Sequence, residues 1–162
     1  MQTFFIEDNA FIKNHQLKVL NSDKKLIYLI SIFPNQLFIT LPNGTKLITT
    51  SQKSFFFENE IQLIRQQKKI ATLKQVVRGK QPIYFLTKYN WLITGMFEKK
   101  TFKISAINKK ITTFKAKSGV LNQFSLTDNQ DLPLIALLIV IINTQIYATD
   151  THQKYQEQIL FI

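Results

Sequence analysis

A nine-residue segment near the end of the chain, Leu134–Ile142, is apolar at every position. As a helix it would extend about 14 Å at about 1.5 Å per residue, whereas the hydrocarbon core of a bilayer is about 30 Å thick. A helix that is hydrophobic on all sides and too short to cross a membrane has to be buried inside its own protein. The segment therefore predicts a core element that the rest of the chain surrounds.

The residues before this segment carry the signals of a helix start. Asp131 can cap free N–H groups, and Pro133 falls in the first turn, where its missing N–H costs nothing. Against this, Ile139–Ile142 is rich in β-branched residues and would also suit a buried strand. We favour a helix over residues 132–145 and keep the buried strand as the alternative.

Most of the chain before the apolar segment alternates apolar and polar residues, with the period of two expected of half-buried strands. The alternation is clear at Gln16–Val19, Leu37–Leu41, Ile61–Ile64, Phe102–Ile107 and Lys110–Lys117. Turn-forming groups are centred near residues 23, 44, 67, 89, 109 and 129, so that successive turns lie 20 to 23 residues apart. Each interval accommodates two strands, which predicts about twelve strands in all.

A degenerate repeat accompanies this spacing. Lys69–Lys74 resembles Lys110–Lys115, and Lys46–Thr50 matches both more loosely. A solenoid or a propeller would also suit such a period. However, the apolar segment needs a container, and a closed antiparallel barrel supplies one while removing exposed edge strands. We therefore predict a mainly β protein, a closed antiparallel barrel of about twelve strands enclosing a C-terminal hydrophobic α-helix. Residues 1–147 would form this single domain, and residues 148–162 a tail that docks onto it.

The composition gives no sign of catalytic chemistry. The chain has no cysteine, which excludes disulfides and thiolate metal sites. Its two histidines, His15 and His152, are far apart, and its four glycines are isolated, so that no phosphate-binding glycine loop is present. We predict that the protein is not an enzyme and has no catalytic residues, metal ligands or cofactor.

Other features bear on the cellular setting. The first eight residues lack a charged region followed by an apolar stretch, so we expect no signal peptide. Lysine outnumbers arginine 19 to 2, which is typical of an A+T-rich, and here we expect bacterial, genome. The expected location is the cytoplasm, with the protein peripheral to the membrane.

The order of several motifs resembles the LURP-one-related family, which comprises bacterial and plant relatives of the Tubby C-terminal domain. The best local matches are Ile70–Lys74, Trp91–Phe97 and the terminal helix at Leu137–Ile142, which follows an acidic turn at Asp128–Asp131. Met96 departs from the pattern, because the family has an acid after the glycine. The resemblance, which covers roughly residues 4–143, implies a twelve-stranded barrel threaded by its C-terminal helix. It also implies relatives that bind phosphoinositides or scramble phospholipids, although no lipid-contacting residue can be matched to a position here.

Charge is the one feature with functional content. The net charge is +11, but residues 65–117 alone contain 14 basic residues and one acid. Such asymmetry favours a polyanionic partner. We therefore predict an anion-binding or lipid-binding surface, peripheral to an anionic membrane. Its candidate residues are Arg65, Lys68, Lys69, Arg78, Lys80, Lys99, Lys100, Lys109 and Lys110.

Two alternatives remain open. A nucleic-acid-binding barrel would use the same basic residues together with stacking by Tyr89 and Trp91, which then have to be exposed. A plain protein-interaction domain would carry paired lysines at its turns only to stay soluble. Exposure of Trp91 tests the first alternative, and clustering of the lysine pairs on one rim of the barrel tests the second.

Overall fold

The computed structural model describes residues 1–7, 16–33, 36–51, 60–79, 81–96, 99–116, 121–126 and 131–144. Within these residues the chain forms twelve strands followed by one helix, α1, at residues 132–144. The strands are β1 (Gln2–Glu7), β2 (Gln16–Leu20), β3 (Leu26–Phe33), β4 (Gln36–Thr40), β5 (Lys46–Ser51), β6 (Glu60–Arg65), β7 (Lys68–Val77), β8 (Ile83–Leu86), β9 (Trp91–Met96), β10 (Thr101–Ala106), β11 (Lys109–Lys115) and β12 (Leu121–Leu126). The tail predicted at residues 148–162 lies outside the described residues.

The strands form a closed antiparallel barrel in which each strand pairs with its neighbours in sequence. Closure comes from β1, which pairs with β12 over six residues, from Gln2 opposite Leu126 to Glu7 opposite Leu121. The prediction of a closed barrel of about twelve strands with one C-terminal helix is confirmed. Helix α1 also settles the choice between helix and buried strand for the apolar segment.

Helix α1 is enclosed on every side. All nine residues of Leu134–Ile142 have no exposed surface, and nine residues turn through about two and a half revolutions at about 3.6 residues per turn. They belong to the same apolar core as the inward-facing side chains of the strands, among them Leu17, Ile39, Leu63 and Ile104. Twelve strands about 4.8 Å apart and tilted by about 40° close into a barrel roughly 24 Å across, which leaves room for a helix and one layer of side chains.

Because the barrel is an antiparallel meander, its turns alternate between two rims. The turns after β2, β4, β6, β8 and β10 lie at the rim where the chain passes from β12 into α1, and we call this the helix-entry rim. The turns after the odd-numbered strands lie at the opposite rim. Five of the six turn centres predicted from the sequence belong to the helix-entry rim, which explains why they recur at intervals of two strands. The sixth, near residue 129, lies outside the described residues.

The sequence repeat corresponds to a β-bulge. In four of the five hairpins at the helix-entry rim, the returning strand contains one extra residue. The extra residues are Ile27, Leu47, Ile70 and Ile111, and each packs against or within the apolar core. In three of these hairpins the residue before the bulge is a lysine (Lys46, Lys69 or Lys110), paired across the ladder with Thr40, Ile64 or Ser105 respectively.

Gly95 is required by close contact between β9 and β10. It lies directly opposite Phe102, and a Cβ atom added to it would come within 2.5 Å of the Phe102 Cα and 2.8 Å of the Phe102 Cβ. The buried Phe102 ring lies next to that of Phe114, with 5.1 Å between centroids. Met96, the departure from the family pattern, is 51% exposed and therefore tolerant of change.

We predict that Gly95→Ala lowers the free energy of unfolding by about 3 kcal/mol, because the new methyl group meets backbone atoms that cannot move aside. Urea denaturation followed by circular dichroism would measure the loss. Met96→Ala, one residue further on the same strand, is the control and should change stability by less than about 0.5 kcal/mol. Equal stability of the two variants would show that the β9–β10 contact is not tight.

Candidate anion-binding surface

The predicted basic residues divide between the two rims. Five of them lie at the helix-entry rim, namely Arg65, Lys68, Lys69, Lys109 and Lys110. Arg78, Lys99 and Lys100 lie at the opposite rim, and Lys80 lies outside the described residues. The two groups cannot act together on one flat surface, so that the set chosen from the sequence describes two separate sites.

The helix-entry rim also gathers basic residues that the sequence set did not include. These are Lys24, Lys25, Lys46 and Lys88. Three of them precede the strongly basic stretch of sequence, but all stand in or beside turns of the same phase. They can be identified from the sequence by noting which turns follow even-numbered strands. Among the described residues, this rim then carries nine basic and two acidic side chains, the acids being Asp23 and Asp131.

Neighbouring hairpins of the rim are close enough to present their lysines together. Successive hairpins are two strands apart, a separation of roughly 10 Å. Between the β6–β7 and β8–β9 hairpins the Lys88 Nζ donates a hydrogen bond of 3.2 Å to the Lys69 carbonyl oxygen. Elsewhere on the rim, Lys24 Nζ lies 2.9 Å from the centroid of the Phe5 ring, and Lys46 Nζ lies 4.4 Å from that of Phe38. These contacts orient exposed lysines without neutralising their charge.

Arg65 is held in an ion pair within the barrel. Its Nη2 atom donates to both carboxylate oxygens of Asp131, each at 2.8 Å, with the two side chains 34% and 22% exposed. Asp131 also caps α1, since its Oδ1 accepts a hydrogen bond of 3.4 Å from the Leu134 N–H. The ion pair thus ties the end of β6 to the start of the helix, and Arg65 has little charge left for an external anion.

Two tyrosines complete this arrangement at the mouth of the barrel. Burial, together with the negative charge of Asp131, raises the pKa of the Tyr28 hydroxyl and that of the Tyr89 hydroxyl, while Arg65 acts in the opposite direction on Tyr89. Both hydroxyls therefore stay neutral at physiological pH. The Tyr89 ring packs against that of Trp91, with 5.0 Å between centroids. The mouth through which the helix enters is closed by an ion pair and half-buried aromatic rings.

The aromatic residues suggested for stacking on nucleic-acid bases face inward. Trp91 is 6% exposed and belongs to the core. Tyr84, on the neighbouring strand β8, is also in the core, where burial raises its pKa to about 12. Tyr89 is only half-buried, but one face of it is taken by Trp91. A stacking platform needs open ring faces. The exposure that the nucleic-acid alternative requires of Trp91 is therefore not present.

The described part of the chain does not present the features of a metal site or of a membrane-spanning helix. Over those residues, no three histidine, cysteine or acidic side chains come together as a metal site. Both histidines lie outside this part. Glu60 pairs with Lys74 at 3.6 Å, on exposed side chains. No helix among the described residues is long and apolar enough to span a bilayer.

These observations define a closed twelve-stranded barrel that is threaded by an apolar helix and has a basic helix-entry rim. The X-ray structure of a protein from Arabidopsis thaliana, AT5G01750, is similar, with a TM-score of 0.65, 16% sequence identity, and coverage of 88% of this chain and 89% of that chain. At this identity the likeness shows a shared fold, and it fits the LURP-one-related, Tubby-like barrel that the motif order resembles. No family model and no curated protein matches the chain.

We predict that Asp131→Ala destabilises the protein by about 2 kcal/mol, because it removes both the helix cap and the partner of Arg65. Asp131→Asn should cost only about half as much, since asparagine also caps helices but carries no charge. Urea unfolding would measure both variants, and Asp23→Asn, an exposed acid on the same rim, is the control. If Asp131→Ala behaved like Asp23→Asn, the mouth of the barrel would not depend on this residue.

Proposed function

We propose that the chain is a non-enzymatic barrel of the LURP-one-related, Tubby-like kind that associates with anionic phospholipid headgroups through its helix-entry rim. The observation that carries the proposal is the presence of a lysine at the equivalent position of three hairpins. Lys46, Lys69 and Lys110 each precede a bulge and each point from the same rim. A flat anionic surface that approached this rim would therefore meet lysines at equivalent positions of several hairpins.

The rim offers enough charge for weak peripheral binding. The neighbouring β6–β7, β8–β9 and β10–β11 hairpins carry Lys68, Lys69, Lys88, Lys109 and Lys110. A basic residue near an anionic leaflet gains about 1 kcal/mol. Five lysines would then contribute about 5 kcal/mol, equivalent to a dissociation constant of roughly 0.2 mM. Binding of this strength is reversible and depends on salt.

An apolar residue at the tip of one hairpin supports a lipid partner over a soluble polyanion. Ile107, in the β10–β11 turn, is 87% exposed and stands two residues before Lys109. An isolated apolar side chain among lysines would gain free energy by entering the headgroup region while the lysines stay at the phosphates. A nucleic acid would give this side chain no comparable site. A plain interaction domain remains the second candidate, and the experiment below separates it from the first.

The test is co-sedimentation with vesicles of phosphatidylcholine alone or mixed with phosphatidylserine, at low salt and at about 0.15 M salt. We expect the wild-type protein to sediment with the anionic vesicles only, and an excess of single-stranded DNA to leave this binding in place. The triple variant Lys68→Gln, Lys69→Gln, Lys88→Gln should lose at least about fivefold in the fraction bound, since about 3 kcal/mol of attraction is removed.

The matched control removes three lysines away from the helix-entry rim, by Lys18→Gln, Lys99→Gln and Lys100→Gln. Its net charge equals that of the rim variant, so that unchanged binding would assign the effect to the rim. Equal loss of vesicle binding in both triple variants would show that the binding depends only on net charge. Indifference of the wild-type protein to every vesicle would reject the lipid proposal and favour the interaction domain.

A further inference from the structure

A groove opens in the outer wall of the barrel between β11 and β12, away from the turns of the basic rim. Its volume is about 280 Å³, just below the range of about 300–1,000 Å³ that is usual for small-molecule sites. It runs along the seam from Lys110, near the helix-entry rim, to Lys115 near the opposite rim. The groove therefore belongs to the wall, and among its lining residues it shares only Lys110 with the surface proposed to meet lipid.

The groove lies where the described ladder between the two strands is short. Described ladder pairs between β11 and β12 are limited to Phe114 opposite Phe124 and Lys115 opposite Gln123. Beyond them, the Thr112 hydroxyl donates a hydrogen bond of 2.8 Å to the Ser125 carbonyl oxygen. A side-chain hydroxyl thus bonds the Ser125 carbonyl oxygen beyond the last described ladder pair. On its other edge β12 continues its pairing with β1 as far as Leu126.

The lining of the groove is cationic and rich in hydrogen-bonding groups. Its outward-facing side chains are Lys110, Thr113, Lys115, Gln123 and Ser125, over a buried floor that includes Ile111 and Phe124. The Ser125 hydroxyl is held by a hydrogen bond of 3.2 Å to that of Thr3. No carboxylate occurs among the described residues that line it.

We propose that this groove binds a small phosphate ester. The flexible stems of Lys110 and Lys115 let both ammonium groups turn inward onto phosphate oxygens, where charge-assisted hydrogen bonds are strongest. The Thr113 hydroxyl lies between them and can bond a neutral hydroxyl of the ester. The proposal does not require lipid binding by the rim. A free metabolite and a lipid headgroup that ends in a phosphate monoester offer the same chemistry.

The test is isothermal titration of the full chain with glycerol 3-phosphate, with glycerol as the uncharged comparison. We expect saturable binding of the phosphate ester and none of glycerol. Lys115→Gln should weaken binding about tenfold, the loss expected for one hydrogen bond to a charged group. Thr113→Val keeps the shape and charge of the site and should weaken binding about threefold. Unchanged urea midpoints would show that both variants fold.

The charge-matched control is Lys18→Gln, because Lys18 is exposed and lies on β2, three strands from β11. This variant should bind as the wild-type protein does. Absence of saturable binding at about 10 mM ester, where a dissociation constant of about 1 mM would be detected, would overturn the proposal. So would an equal loss in Lys18→Gln and Lys115→Gln.

Vesicles containing phosphatidic acid then distinguish the two sources of the phosphate ester. Weaker sedimentation of Lys115→Gln with these vesicles would identify a lipid headgroup, and unchanged sedimentation a free ester. The rim variant Lys68→Gln, Lys69→Gln, Lys88→Gln should still bind glycerol 3-phosphate normally. Loss of ester binding by the groove and loss of vesicle binding by the rim would thus be observed in different variants.

Discussion

The burial of a helix that has no polar side is the constraint on which the rest of the structure depends. One sheet or one layer of helices could cover only part of α1, whereas a closed wall covers all of it. The wall needs about twelve strands to leave a space the width of a helix and its surrounding side chains. The same closure removes every edge strand. Size, strand number and topology therefore follow from one apolar segment.

A meander around a central helix also gives the rim its chemistry. Hairpins that repeat the same bulge place equivalent residues at equivalent heights, so that a lysine before the bulge recurs as Lys46, Lys69 and Lys110. The apolar bulge residue is drawn toward the core while the lysine stays in water. A weak repeat in the sequence thus places three lysines at equivalent positions of one rim. The single arginine of the described rim is used differently, because Asp131 holds it at the start of the helix.

Most of the fold could be predicted from the sequence, because strand period, turn spacing and the Leu134–Ile142 segment are local signals that agree with one another. The surface could be predicted only in part. Residue type does not reveal that Arg65 has a partner 66 residues away, or that Trp91 faces the core. Residue type also does not place Lys99 and Lys100 at the rim opposite to that of Lys69, a position that follows from the parity of their turn. The β11–β12 groove is lined by Thr112 and Ser125, whose contact no local pattern encodes.

The position of α1 at the end of the described chain has a consequence for the order of folding. The wall is synthesised before the segment that fills it, and closure joins Gln2 to Leu126, residues at opposite ends of the barrel sequence. Such distant pairing is slow to form, and an unfilled wall exposes its apolar inner face. We therefore expect the nascent chain to complete its barrel only once α1 is available to fill it. Until that event, chaperones that recognise apolar strands have their best opportunity to bind it.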